Sequence, residues 1–333
     1  MEANPAIYTS KLDIMETEVA IKLVKDSFEH ELAMALNLTR VSAPLFVRPH
    51  TGINDDLNGV ERPVSFDVKD LGEDVEIVQS LAKWKRMALN KYGFEPRSGL
   101  YTDMNAIRRD ETLDELHSIY VDQWDWERVI LPHQRDLHYL KHTVRSIYEA
   151  LRETQLRLTQ RFPILSPFFP EEITFVTAQE LEDEWPDLSP KERENEICRR
   201  NGAVFIMQIG GVMKSGQRHD GRAPDYDDWS LNGDIMLWYP VLERAVEISS
   251  MGIRVDAATL RSQLTEAGCL DRLELPFHRA LVSGELPLTM GGGIGQSRIC
   301  MLMLEKAHIG EVQSSVWPQA MVEDCEARGI HLL

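Results

Sequence analysis

The chain has 333 residues, 43% apolar and 27% charged, enough for one large core or two ordinary ones. Its formal net charge of −18 and sequence pI near 5.0 exclude a non-specific nucleic-acid binder and argue against an anionic membrane surface, yet leave room for a small anion in a local basic pocket. Four widely spaced cysteines, Cys198, Cys269, Cys300 and Cys325, form no C-x-x-C pair, so reduced thiols in a cytoplasmic protein are expected and a zinc site is not.

Met1 to Pro5 shows neither the basic nor the apolar segment of a signal peptide. No apolar run approaches the roughly 20 residues of a membrane span. Residues 13–37 read as a helix, with Val19, Ile21, Leu23, Val24, Phe28, Leu32 and Leu36 near helical spacing. Val41–Val47 then turns extended, with Pro44 inside it, which suits a subunit interface or an edge strand. The polar loop 48–62 holds Gly52, Asn54, Asp55, Asp56, Asn58 and Gly59; such clusters make turns or present binding groups. Short strands are expected at Val64–Val68 and Val75–Gln79. Ser80 then caps a helix whose Lys83, Lys85 and Arg86 form a small basic cluster or a solvated face.

Leu100–Arg108 and His117–Val129 read as two strands joined by a charged turn. Strand periodicity puts Gln123, Asp125 and Glu127 on one face, against Asp122, Trp124 and Trp126 on the other. A row of polar groups on a central strand needs partners if buried, which points to a polar pocket. Residues 135–162 form a long helix whose apolar stripe is broken by Gln155. A strand at Ile173–Val176 and helices near 178–185 and 189–201 lead to an apolar, central strand at Ala203–Gly210. Arg218–Ser230 reads as irregular and charged. Strands at 234–238 and 246–254 carry Asp234 and Glu247, a carboxylate pair suited to Mg²⁺ held against a polyphosphate. After helices at 256–268 and 274–283 comes Met290-Gly-Gly-Gly-Ile-Gly-Gln-Ser-Arg298. Its glycines, a following helix start and Arg298 fit either a nucleotide-phosphate site or a tight packing turn.

Three spaced features together resemble the motifs of the class II aminoacyl-tRNA synthetase catalytic domain. These are Val41-x-x-Pro44-Leu45-Phe46 after a long helix, Ile107-Arg108 turning into His117-x-x-Tyr120, and Gly291-x-Gly293-x-Gly295-x-x-Arg298. Asp122-Gln123-x-Asp125-Trp126-Glu127 is similar to the aspartyl and asparaginyl branch. Longer stretches resemble ammonia-dependent asparagine synthetases: Ser80–Arg86, Tyr120–Glu127, Arg222–Trp229, Leu231–Asp234 and Ser249–Val255. The likeness spans nearly the whole chain. It implies an α+β fold, a mostly antiparallel central sheet flanked by helices, in one catalytic domain over 1–333. No segment remains for an anticodon-binding barrel, and Met1-Glu2 lacks the cysteine of glutamine-dependent enzymes. Asp110 stands where Glu is usual, and Ser297 precedes Arg298. Ser230 joins Leu231 directly where relatives carry a longer Gly- and Ser-containing loop: either this member is shortened, or a lid is missing from the sequence.

The resemblance implies conversion of L-aspartate, ATP and ammonia to L-asparagine, AMP and pyrophosphate through a β-aspartyl adenylate, by an expected homodimer without nucleic acid or membrane. It assigns Asp55, Arg108 and Gln123 to catalysis. Ser80, Ala82, Lys85, Gln123, Asp125, Ser250 and Arg254 fall to the substrate. Within that set, Gln123 and Asp125 would take the ammonium group, and Lys85, Ser250 and Arg254 the carboxylate. Arg108, Asp227, Asp234, Glu247, Gly293, Gly295 and Arg298 fall to the nucleotide, with Mg²⁺ on Asp234 and Glu247. An aspartyl- or asparaginyl-tRNA synthetase core and a non-catalytic amino-acid-binding relative are the competing classes.

Overall fold

A computed structural model describes residues 8–333 apart from 56 and 58–60. The readings of Met1–Pro5 and of Asp56, Asn58 and Gly59 therefore lie outside the described residues.

Helix α1 (Ile14–Leu36) opens on a capping box in which Asp13 Oδ1 accepts from the Glu16 N–H and Glu16 Oε2 accepts from the Asp13 N–H. Its buried stripe includes Val24, Phe28, Leu32 and Leu36, whereas Val19 is exposed. Of the strand expected at Val41–Val47 only Phe46–Val47 forms one (β2), and a separate short strand, β1 (Leu38–Arg40), precedes it. Between them Pro44 has no N–H for a ladder, and the two strands join different sheets. Strands β3 (Ser65–Val68) and β4 (Glu73–Ile77) complete a small antiparallel sheet with β2. Helix α2 (Ala82–Tyr92) starts one residue later than Ser80 predicts. Leu81 occupies the N-cap, and Ser80 Oγ accepts from the Ala82 N–H at 3.1 Å. Lys83, Lys85 and Arg86 are buried, so this face of α2 is not solvated.

Strands β5 (Gly99–Ile107) and β6 (Tyr120–Val129), helix α3 (Leu137–Arg161), strand β7 (Thr174–Thr177), helices α4 (Ala178–Glu184) and α5 (Pro190–Asn201) and strand β8 (Ala203–Met207) follow. Gln155 interrupts the stripe of α3 because its Oε1 accepts from the N–H groups of Phe168 and Phe169, both at 3.2 Å, anchoring the segment after the helix. Then come β9 (Asp227–Tyr239), β10 (Arg244–Arg254), α6 (Ala257–Glu266), α7 (Pro276–Val282), β11 (Thr289–Gly295), α8 (Gln296–Met303) and α9 (Gln319–Ala327). The irregular reading ends at Tyr226, because β9 already begins at Asp227 and passes through Ser230–Leu231.

The main sheet has the order β1-β5-β6-β11-β10-β9-β8-β7. Only its end pairs, β1–β5 and β7–β8, are parallel; the five internal pairs are antiparallel. Strand β8 is therefore one place from the edge, not central, although all five of its residues are buried. One sheet face carries Trp124 and Trp126 into the largest core, where Phe28 of α1 lies 4.8 Å from the Trp124 ring. The opposite face is polar and packs against α2.

The glycine stretch is strand β11, which runs to Gly295 and passes directly into α8. Gly291 lies between Glu127 of β6 and Gly252 of β10. A Cβ there would fall 1.9 Å from Glu127 Oε2, and one at Gly293 would fall 2.3 Å from Gln123 Oε1. These glycines leave room for the polar side chains of β6 to lie across β11. Gly291→Ala should therefore destabilise the protein by about 3 kcal/mol, the upper end for overpacking a tight interior. Urea unfolding measures this; a loss below about 0.5 kcal/mol, the scale of neutral surface changes, would contradict the packing account.

Candidate active site

The polar face opens into a cavity of about 450 Å³. Gln123, Ser250, Gly293 and Gly295 line it from the sheet, Glu247 from β10, Arg108 from just past β5, and Arg298 from α8. The sheet thus brings together residues separated by up to 190 positions. Others of the expected set, Lys85, Asp125, Asp227 and Arg254, lie behind this lining as a buried ion network.

That network has a physical order. The Arg254 guanidinium donates to both Glu127 oxygens at 2.7–3.1 Å and also to Asp227 Oδ1. All three groups are at most 3% exposed. Burial opposes the charge on Glu127, but Arg254 outweighs it and holds that carboxyl below its usual range. At Asp227 burial wins and the carboxyl is pushed up. Beside them Lys85 Nζ donates to the Gly292 carbonyl at 2.9 Å and sits 3.4 Å from Asp125 Oδ1. Burial pushes Lys85 down and Asp125 up, each toward its neutral form, and their mutual attraction offsets only part of this.

Asp234 and Glu247 are diagonal rather than opposite, because Asp234 registers with Ser250, Glu247 with Met236, and a bulge intervenes. Burial pushes the Asp234 carboxyl up to about 7, with Arg222 opposing and Glu247 adding to the rise. Arg222 donates to Asp234 Oδ2, and Asp234 Oδ1 is buried without a hydrogen bond among the described residues. Among the described residues no group of three or more His, Cys, Asp or Glu is placed to hold a metal.

Arg298 donates to the Glu247 carbonyl at 2.8 Å, and burial lowers its pKa. Arg108 lies close enough to repel it, and its own Nε is buried with no hydrogen bond among the described residues. The N-terminus of α8 is not an open phosphate cradle. Asp122 occupies it, accepting from the Ser297 N–H at 3.0 Å and from Ser297 Oγ at 2.7 Å. Ser297 thus binds the first turn of α8 to β6. Ser80 and Ala82 do not line the cavity, and Asp55 lines a second, smaller one.

Residues 15–329 match the family model for aspartate–ammonia ligase. The chain belongs to the aspartate–ammonia ligase family. It is 62% identical over 331 residues to the aspartate–ammonia ligase of Ruminiclostridium cellulolyticum, covering 99% of this chain and 98% of that one. The ligase of Clostridium perfringens strain SM101 is 60% identical over 330 residues, at 99% and 98% coverage. That of Levilactobacillus brevis is 56% identical over 330 residues, also at 99% and 98%. Among solved structures, asparaginyl-tRNA synthetase from Pyrococcus horikoshii complexed with asparaginyl-adenylate superposes with a TM-score of 0.66 at 15% identity, over 91% of this chain and 70% of that one. The Entamoeba histolytica asparaginyl-tRNA synthetase gives 0.64 at 12% identity, over 90% and 67%. The class II synthetase fold is therefore shared.

In this ligase the cavity also takes Lys191 from α5, and Arg222 and Tyr226 from the segment before β9. The functional reading of the sequence passed over Lys191 because it sits in a run of alternating charges resembling a solvated helix. Arg222 stood inside a matched stretch but received no role; its partner Asp234 lies twelve positions on, within β9. Replacing Arg254 by Met should cost about 3–5 kcal/mol, because Glu127 and Asp227 would remain buried without their cation. Chemical denaturation of the variant measures the loss. Unchanged stability would show that water reaches these carboxylates.

Proposed function

We propose that this aspartate–ammonia ligase joins ammonia to L-aspartate at the expense of ATP, through a β-aspartyl adenylate, releasing pyrophosphate and then AMP. The observation that carries the reading is Arg108, which lines a cavity with Arg298, Gln123 and Ser250 and whose buried Nε has no hydrogen bond among the described residues. A carboxylate is a poor electrophile. Its side-chain oxygen attacks the α-phosphorus of ATP, and the bond to pyrophosphate breaks. Negative charge on the α-phosphate oxygens grows in that step, and Arg108 is the donor available to stabilise it. Arg298 binds the nucleotide, with Gly293 and Gly295 allowing close approach of the backbone. Ammonia then attacks the acyl carbon with its lone pair. The acyl–oxygen bond breaks, AMP leaves with the electron pair, and the surplus proton passes to a base, for which Asp55 is the candidate.

Gln123 and Asp125 take the aspartate ammonium group, and Ser250, Lys85 and Arg254 its carboxylate; Lys85 then exchanges part of its contact with Asp125 for substrate. The orphaned Asp234 Oδ1 beside Glu247 fits Mg²⁺, which favours one or two carboxylates with the remainder from phosphate and water. Bound there, the ion would offset polyphosphate charge.

The direct test is asparagine formation from aspartate, ATP and ammonium, followed by mass spectrometry, with a tRNA-supplemented arm. Formation of aspartyl-tRNA instead of asparagine would overturn the reading. Arg108→Ala should lower aspartate-dependent pyrophosphate–ATP exchange by about 10²–10³, the range for losing one charge-stabilising donor. Exchange at the parental rate would remove Arg108 from the adenylation step. A proton on Asp234 competes with the metal below pH about 7, so apparent Mg²⁺ affinity should weaken between pH 8 and pH 6. Magnesium titrations of activity that overlay at the two pH values would exclude Asp234 as a ligand.

A further inference from the structure

Beside the main cavity lies a second of about 270 Å³, lined by Asp55, Lys83, Asp225, Arg272 and His278 among others. Only a thin wall separates the two. Gln79, which lines the main cavity, donates through Nε2 to the Asp55 carbonyl at 2.8 Å. Adjacent residues face opposite ways, with Asp225 on the second cavity and Tyr226 on the first. The Asp55 charge also raises the Tyr226 pKa, after burial, so the two side chains are close across that wall.

The second cavity contains an arrangement that the activation step does not use. Asp225 and His278 are both 0% exposed. Asp225 Oδ2 faces His278 Nε2 at 2.9 Å and accepts from Lys83 Nζ and Arg272 Nη1, both at 3.2 Å. Among the described residues its other oxygen, Oδ1, has no hydrogen bond, and neither does His278 Nδ1. If His278 Nε2–H donates to Asp225, Nδ1 is an acceptor. Two buried, unpartnered acceptors in one small chamber suit a ligand that only donates. Ammonium is such a ligand, whereas a phosphate or carboxylate oxygen would be repelled by these two acceptors, and the donors Lys83 and Arg272 are already engaged by Asp225.

We infer that the second cavity is an ammonia port, taking ammonium from solvent onto Asp225 and His278 and passing ammonia through the Asp55 wall to the activated aspartate. This rests on the proposed amidation. The port supplies a physical reason for a separate entrance: ATP and aspartate fill the main cavity, so the third substrate needs another approach. Lys83 and Arg272 already place two positive charges against Asp225, so a third beside them is disfavoured, which favours release of the ammonium proton. That proton goes to the Asp55 carboxylate and then to solvent, leaving neutral NH₃ with its lone pair free for the acyl carbon.

Two variants test the port without touching the adenylating residues. Asp225→Asn removes the anion, and Thr51→Trp places bulk among the residues lining the chamber. Each should raise KM for ammonium by about tenfold or more, corresponding to 1.4 kcal/mol. KM for aspartate and ATP, and pyrophosphate–ATP exchange, should stay within about twofold. An ammonium KM unchanged in Thr51→Trp overturns the port, as does a parallel loss of exchange and amidation in that variant. If Asp225→Asn fails to fold, Thr51→Trp decides alone. Unmodified protein that makes no asparagine refutes the amidation itself, whereas active parent protein with unaltered variants refutes only the port.

Discussion

Arg254 reaching across strand β11 to Glu127 is the contact on which the rest of the site depends. In the sheet order, β11 lies between the strands that supply these two residues. A side chain on β11 would block the pair, so the intervening position is Gly291. The same cation also engages Asp227 on β9, tying three strands together through one guanidinium. A planar fork with five donors can satisfy two carboxylates at once, which an ammonium group of Lys does with less geometric control. Gly293 plays the corresponding part over Gln123 and Asp125.

The sheet therefore divides its work between its faces. Trp124 and Trp126 point into the apolar core shared with α1 and α3, while their neighbours Gln123, Asp125 and Glu127 point to the polar side. Alternation along a single strand supplies both. Helix α2 covers the polar side with buried cations: Lys85 meets Asp125 of β6, Lys83 meets Asp225 before β9, and Arg86 donates to the Val255 and Pro287 carbonyls.

Much of this was readable in the residues. The alternation of β6, the buried stripes of α1 and α3, and the carboxylates on β9 and β10 all follow from periodicity and chemistry. The stretches matched over the whole length implied the family. The glycine segment was misread locally because glycine has no side chain to betray a strand, and because what it accommodates, Glu127, lies more than 160 positions earlier. The N-terminus of α8 looked open to phosphate for a similar reason: its actual partner, Asp122, comes from a distant strand. The basic cluster of α2 resembled a solvated face because the carboxylates that neutralise it are on other elements. The Asp225–His278 arrangement gave no local signal, since 53 positions separate the two residues. Local pattern identifies elements and their faces; what neutralises or fills each face is set by tertiary pairing.

The span of the Arg254 clamp has a kinetic side. Its partners are 127 and 27 positions away, and β11 enters between the strands from near the end of the chain. Loop closure over such separations is entropically costly and favours late formation. Until β11 is in place, Glu127, Asp227 and Arg254 can keep their hydration. Desolvating the charges therefore belongs to the final, cooperative part of folding, when the attraction that offsets it becomes available. Met290 and Ile294 of β11 belong to the tryptophan core as well, so that core and the polar face close together. The capacity for chemistry arrives in one step, with the last strand of the sheet.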